Sequence, residues 1–204
     1  MIITQDMKLR DIITNSLADS MSYNQYIDLV SELTEQNSTT GPDKSEAMAN
    51  YTMLNNRRLK RWNKTVKLSE IDKNRVESSS INQTWIVLTE SWCGDAAHIM
   101  PVINKVAELN NNIDYRVVLR DENEALMNQF LTNGGKAIPK LIMIDNDTQE
   151  VVNTFGPRPS EATKLVNDYK AKHGKLTPEF KEDLQRWYNK DKGQTTIKDL
   201  LEAL

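Results

Sequence analysis

The chain has 204 residues, a formal net charge of −3 from 26 Lys and Arg against 29 Asp and Glu, and 38% apolar residues. At about 150 residues per domain, this length predicts one domain with extensions or two small domains. A chain of this size can fold without disulfide bonds or structural metal ions. The mixed charge argues against a nucleic-acid-binding protein, and one cysteine with two histidines argues against disulfides and a Cys/His zinc site. No cofactor is predicted.

The start of the chain lacks the features of a secretory signal. Neither a basic segment, nor a long apolar run, nor a small-residue cleavage site follows Met1. The longest apolar runs, 85–88 and 141–144, are far shorter than the roughly 20 residues that span a bilayer. The sequence therefore predicts a cytoplasmic protein without a membrane partner, in a compartment that keeps an unpaired thiol reduced.

The first 80 residues have the periodicity of helices. One apolar stripe runs from Leu9 to Met21, a second begins at Tyr26, and a polar break with Gly-Pro follows at 36–43. A third helix is predicted over 45–62. Its apolar side chains are expected in the core: Met48, Tyr51, Leu54 or Met53, and Leu59. A short fourth helix is predicted over 69–78.

From about residue 81 the pattern changes to strands that alternate with helices. The predicted elements are a strand at 84–89, a helix after 93, a strand at 113–119, a helix at 122–132, strands at 140–144 and 150–155, and helices at 160–173, 178–189 and 195–204. This order predicts an α/β sheet that is parallel in its first half and is followed by an antiparallel hairpin, with the hairpin turn at Asn146-Asp147. The predicted units are a helical extension over 1–80, an α/β domain over 81–172 and a C-terminal helical extension over 173–204.

The only cysteine lies where the first strand of this domain turns into a helix, in the run Trp92-Cys93-Gly94-Asp95. A helix N-terminus stabilises a thiolate by about 0.3–2 kcal/mol. The Asp95 carboxylate destabilises it by about 0.6–2.4 kcal/mol at a separation of roughly 7 Å. Because the two effects are of similar size, the sequence leaves the direction of the Cys93 pKa open. Without further context, a lone cysteine is most simply a small buried apolar residue.

Three features over about residues 81–172 resemble thioredoxin: Trp92-Cys93-Gly94 at the strand–helix junction, Pro101 inside the helix, and Ile138-Pro139 before a later strand. The resemblance implies a thioredoxin-like fold, with a central mixed sheet flanked by helices and extra helices at both ends. With Asp95, the motif resembles a bacterial thioredoxin-like group that has an N-terminal helical segment. The family also implies a cis bond before Pro139 and an extended substrate paired with the backbone of Ile138. The site residues implied are the catalytic Cys93 and the substrate-binding Trp92, Gly94, Asp95, Ile138 and Pro139.

The sequence also departs from the dithiol thioredoxins. Ala96 occupies the position of the resolving cysteine, Asp95 one that is often proline, and Val87 that of a buried aspartate which assists proton transfer. Lys140 follows Pro139 where threonine is common. Because a resolving thiolate ends the dithiol cycle, the second thiol must come from the substrate, a low-molecular-weight thiol or another protein.

Three functions stay open, and the oligomeric state is not predicted. The first is a monothiol thiol–disulfide exchange factor that acts through Cys93. The second is a redox-inactive binding module, because Ala96, Asp95 and Val87 replace groups that assist catalysis. The third is a glutaredoxin-like protein that bridges an iron–sulfur cluster, although Cys-Gly-Asp-Ala differs from that family's usual Cys-Gly-Phe-Ser. His98 is not expected to act as a base, because five helical residues turn its side chain about 140° from that of Cys93.

Overall fold

The computed structural model describes the backbone of residues 2–204 and the side chains from residue 8 onward. In chain order the elements are α1 (Ile2–Ala18), β1 (Met21–Ser22), α2 (Tyr23–Glu35), α3 (Glu46–Thr65), α4 (Glu70–Glu77), β2 (Gln83–Thr89), α5 (Gly94–Ala107), β3 (Ile113–Leu119), α6 (Glu124–Met127), β4 (Lys140–Asp145), β5 (Val151–Phe155), α7 (Ser160–His173), α8 (Pro178–Asp191) and α9 (Gln194–Ala203). The predicted α/β class is confirmed. Within this described part, no helix is both long enough and apolar enough to pass through a bilayer.

The strands form one sheet in the order β1-β3-β2-β4-β5. β2 and β3 are parallel, β4 is antiparallel to β2, and β5 is antiparallel to β4. The prediction of a sheet that is parallel in its first half and is followed by an antiparallel hairpin is therefore confirmed. β2 is central and almost wholly buried, which explains why its residues form a near-continuous apolar run. The carboxyl end of this central strand leads directly into the turn that carries Cys93.

Two elements differ from the prediction. β1 is a two-residue strand, too short to show an alternating pattern, and it pairs with β3 at the edge of the sheet. The helix predicted over 122–132 is wrong beyond one turn, because the structure has only α6 there. One turn is enough to bury Leu126 and Met127, and Leu131 stays 41% exposed. Asn133, at φ +50°, then turns the chain into left-handed conformations that no helix continues.

The buried face of α3 also differs from the apolar face that was expected. It consists of Ala49, Thr52, Asn55, Asn56, Leu59 and Trp62. Leu59 is buried as predicted, and Met48 and Met53 are half-buried. The prediction is wrong for Tyr51, which is 49% exposed, and Leu54, the alternative to Met53, is 39% exposed. The reason is that Thr52 and Asn55 make hydrogen bonds with Ser91, two residues before Cys93. A polar face of α3 is therefore buried against the loop that precedes the thiol.

Helices from both ends of the chain contact α5. α3 packs on it from the N-terminal side of the sequence and α9 from the C-terminal side. Pro101 lies inside α5 and is buried, at the place where the resemblance puts a helix-kinking proline. The helix that begins at Cys93 is thus enclosed between the sheet and the added helices.

Candidate functional site

The thiol lies between the start of α5 and the start of β4. Cys93 is the N-cap residue of α5 and has 8% of its surface exposed. Its Sγ donates a hydrogen bond to the Ile138 carbonyl oxygen at 3.3 Å, and the Ile138-Pro139 peptide bond is cis. The structure therefore brings Cys93 next to Ile138 and Pro139, which lie 45 residues or more beyond it along the chain.

Burial decides the protonation state of the thiol. It raises the pKa of Cys93 to about 12, and the Asp95 carboxylate acts in the same direction. The backbone N–H groups of Ala96 and Asp95, together with the Arg158 guanidinium, lower it by less. The question that the sequence leaves open is thus answered in favour of the neutral form. A protonated thiol is also the form that can donate to Ile138.

Asp95 lies in the first turn of α5 and is held by two residues from the C-terminal third of the chain. Its Oδ2 pairs with Arg158 Nη2 at 2.6 Å, and its Oδ1 accepts from the Tyr188 hydroxyl at 2.9 Å. Burial raises the pKa of Asp95, whereas Arg158 and the Tyr188 hydroxyl lower it. Sequence reasoning missed Arg158, in the loop before α7, and Tyr188, on α8. Neither belongs to a motif, so no local signal marks them.

Trp92 is half-buried and is held between two neighbouring segments. The guanidinium of Arg120 stacks over its ring, 5.0 Å from the centroid. On another side lies Gly41, at φ +77°, where a β-carbon would be 3.5 Å from Trp92 Nε1 and 2.8 Å from Asp121 Oδ2. The polar break at 36–43 is therefore packed against the cysteine motif.

A cluster of buried hydroxyl groups fixes the turn before Cys93 to the N-terminal part of the chain. This hydroxyl cluster consists of Thr39, Thr40, Thr52 and Ser91. Ser91 Oγ lies 2.8 Å from Thr52 Oγ1 and 3.2 Å from Thr39 Oγ1, and it accepts from Thr40 N at 3.0 Å. Sequence reasoning did not find the cluster. Its only signal is the helical spacing of Thr52 with Leu59, which puts a hydroxyl on the buried face of α3.

We expect Thr52→Val to lower the free energy of unfolding by about 1–3 kcal/mol, because valine keeps the shape but removes a hydrogen-bond partner from the buried hydroxyls of Thr39 and Ser91. Urea denaturation measures the change. Thr65→Val is the matched control: it removes an exposed hydroxyl at the end of α3, and its effect should stay within about 0.5 kcal/mol. Equal losses in the two variants would contradict a stabilising role of the hydroxyl cluster.

His98 is occupied by structural partners. Its Nδ1 accepts from Trp62 Nε1 at 2.7 Å, and its Nε2 lies 2.6 Å from Gln185 Oε1. Since an indole can only donate, Nδ1 is the acceptor and Nε2 carries the proton. The imidazole also stacks on the Tyr188 ring at 4.4 Å. Both ring nitrogens are therefore used to connect α5 with α3 and α8, and neither is free to act as a base for Cys93.

Comparisons with known proteins found one family match and similar solved structures. A family model described as thioredoxin matches residues 41–170, and none of the curated proteins matches. A protein of unknown function from Pseudomonas aeruginosa has a similar structure, with 15% identity, a TM-score of 0.61, and 92% of this chain and 93% of that chain covered. An HIV epitope-scaffold is similar too, with 17% identity, a TM-score of 0.55, and 90% and 97% covered. At these identities both likenesses show the fold alone, and with the family match they confirm the predicted thioredoxin-like fold.

Side chains suited to metal binding are scattered. Between residues 8 and 204, no three of the His, Cys, Asp and Glu side chains lie close enough together to hold a metal ion.

Of the predicted site residues, Cys93, Ile138 and Pro139 are in contact or adjacent. Asp95 faces Arg158 and Tyr188, and Gly94 lies under a guanidinium from α3. The site thus consists of one thiol hydrogen-bonded to the Ile138 carbonyl, with the charged side chains of Asp95, Arg158 and Arg58 beside it.

Proposed function

Because this chain belongs to the thioredoxin family, we propose that it is a monothiol thiol–disulfide exchange factor that acts through Cys93. One observation carries the proposal: the thiol begins α5 with its Sγ 3.3 Å from the carbonyl oxygen before Pro139. That carbonyl belongs to the backbone with which, by the family resemblance, an extended substrate pairs. The motif Trp92-Cys93-Gly94-Asp95 and the preceding helices support membership of the bacterial group with an N-terminal helical segment. A reducing cytoplasm is the location that fits a single unpaired thiol.

The proposed exchange has two steps. Cys93 releases its proton to solvent and its sulfur attacks one sulfur of a substrate disulfide, so that a Cys93–substrate disulfide forms while the substrate disulfide breaks. The second substrate sulfur leaves as a thiolate and takes up a proton. A thiol from the substrate, from a low-molecular-weight compound or from another protein then attacks the mixed disulfide and releases Cys93.

Substrate binding and release of the thiol are coupled in this proposal. The Ile138 carbonyl oxygen accepts the hydrogen bond of the Cys93 thiol. A substrate strand that donates a backbone N–H to the same oxygen competes with the thiol for it. The sulfur is then free to move and ionise. Exchange is therefore expected to be slow in the free protein and faster once a substrate pairs with Ile138.

The burial of Cys93 favours a second candidate, a redox-inactive protein-binding module on the same scaffold. With 8% exposure and a pKa raised to about 12, the thiol is a poor nucleophile at neutral pH. In this function Cys93 remains a buried donor to Ile138, and the added helices supply the binding surface. The two candidates differ in whether Cys93 reacts while the chain is folded.

Intact-mass measurement of mixed disulfides separates them, since the chain has one cysteine. Incubation of the native protein with oxidised 2-mercaptoethanol should add one adduct, which dithiothreitol removes, and Cys93→Ala should add none. At neutral pH we expect the native protein to react roughly a hundredfold more slowly than the chain in denaturant. The raised pKa of Cys93 lowers the fraction of thiolate in the folded protein, and the greater nucleophilicity of a thiolate with a higher pKa offsets this loss only in part. An adduct that forms only in denaturant would contradict exchange and leave the binding module.

A further inference from the structure

α3 places a guanidinium beside the residue that follows the thiol. A β-carbon at Gly94 would lie 3.4 Å from Arg58 Nη1. The same Nη1 donates to Asn55 Oδ1 at 2.9 Å, and Asn55 Nδ2 donates to the Ser91 carbonyl oxygen at 2.9 Å. Arg58 is therefore positioned by the residues that also hold the turn before Cys93.

Arg58 has no ion-pair partner within residues 8–204. Among the side chains of residues 8–204, no carboxylate oxygen lies within 4.0 Å of an Arg58 nitrogen. Asp95, the acid in the same turn as Gly94, is already occupied by Arg158 and Tyr188. Burial and the nearby Arg61 lower the pKa of Arg58, and Asp95 offsets them only in part. A half-buried cation without an anion is a site where an anionic ligand gains binding energy.

The surroundings of Arg58 fit an anionic ligand with an apolar portion. Arg57, Lys60 and Arg61 are exposed on the same helix and add positive charge. Leu54, four residues before Arg58, is 39% exposed and lies on the same side of α3. The side of α3 that borders the thiol site is therefore basic at Arg58 and apolar one turn before it.

We infer that Arg58 determines specificity in the proposed exchange by selecting low-molecular-weight thiols and disulfides that carry a carboxylate near the sulfur. The inference rests on the proposed function. Because Gly94 directly follows Cys93, a carboxylate bound to Arg58 holds its own sulfur close to the reacting thiol. Cys93 then attacks that sulfur, the ligand disulfide breaks, and the departing sulfur leaves as a thiolate and is protonated.

Alkylation by iodoacetate and iodoacetamide tests this inference. Both reagents attach to the same sulfur and release iodide, but only iodoacetate carries a carboxylate. The ratio of their rate constants at Cys93 therefore cancels differences in thiolate fraction and exposure. Arg58→Gln should lower the iodoacetate/iodoacetamide ratio by about threefold to tenfold, the effect of losing a partly exposed charge-assisted contact. Arg57→Gln removes the same charge from an exposed neighbouring position, and its ratio should stay within about twofold of wild type.

The unchanged chain provides a second measurement that does not depend on the folding of a variant. Its iodoacetate/iodoacetamide ratio should fall as salt rises from about 0.01 M to about 1 M, because the Debye length shrinks from about 30 Å to about 3 Å. A ratio that is unaffected by salt and by Arg58→Gln, with normal iodoacetamide labelling, would overturn the inference but not exchange. Labelling by neither reagent in the native protein would overturn both the inference and the proposed function.

Discussion

Gly156→Ala is expected to lower the free energy of unfolding by about 2–6 kcal/mol. Gly156 has φ +105°, and a β-carbon there would lie 2.2 Å from the Pro139 carbonyl oxygen. The conformation costs about 1–3 kcal/mol for a residue with a side chain. Displacing a backbone oxygen in a packed region costs about 1–3 kcal/mol more. Because this oxygen belongs to the residue after Ile138, the strain reaches the segment that holds the Cys93 thiol.

Urea denaturation measures this loss, and Gly174→Ala is the matched control. Gly174 has φ +77°, but no atom outside its immediate chain neighbours lies within 4 Å of a β-carbon built there. Its replacement should therefore cost only the left-handed backbone conformation, about 1–2 kcal/mol. A loss at Gly156 that is no larger than the loss at Gly174 would contradict the close approach to Pro139.

The second large effect is a loss of stability in acid that depends on His98. Burial lowers its pKa to about 3, the Gln185 hydrogen bond opposes this shift, and Arg58 and Arg61 add to it. A histidine in the unfolded chain titrates near 6.5, so between about pH 6.5 and 3 only the unfolded state binds the proton. The stabilisation is therefore complete above pH 6.5. It decreases by about 1.4 kcal/mol per pH unit below it, to a total of roughly 5 kcal/mol.

The hydrogen bond from Trp62 helps to explain why the His98 imidazole stays neutral in the folded state. A proton on Nδ1 would face the indole N–H, 2.7 Å away, and the hydrogen bond would become a contact between two donors. Unfolding free energies measured by urea between pH 7 and pH 4 test the prediction. The slope should be shallower in His98→Asn than in wild type, whereas His173→Asn, which changes the exposed histidine at the end of α7, should keep the wild-type slope. Equal slopes in the two variants would contradict it.

Elements with a strong local pattern were predictable from the sequence. The strand over 113–119 and the helix over 160–173 have the predicted bounds, because apolar residues recur along them at the period of each structure. The helix predicted over 122–132 failed because its apolar residues need only one turn to become buried. β1 was missed because two residues cannot show a period. The elements with a long repeating pattern were therefore predicted correctly, and those with a short one were not.

The residues of the candidate site could be predicted only in part. The resemblance pointed to Cys93, Ile138 and Pro139, which lie together in the structure. Tyr188 could not be identified, because it reaches the thiol site from a helix distant in sequence and hydrogen-bonding groups carry no period of their own. On α3 the usual rule holds only in part: Thr52 and Asn55 are buried against the Ser91 turn, whereas Tyr51 and Leu54 are exposed. A pattern of hydrophobicity alone cannot reveal such a face.

The bond between Asp95 and Tyr188 has a consequence for biosynthesis. Tyr188 follows Cys93 by 188 − 93 = 95 residues, so the ribosome adds it long after the cysteine. At about 5–20 residues per second, this interval is roughly 5–20 s. Throughout this interval the first turn of α5 lacks the hydrogen bond from Tyr188, and this contact between Asp95 and α8 can form only after most of the chain has been made.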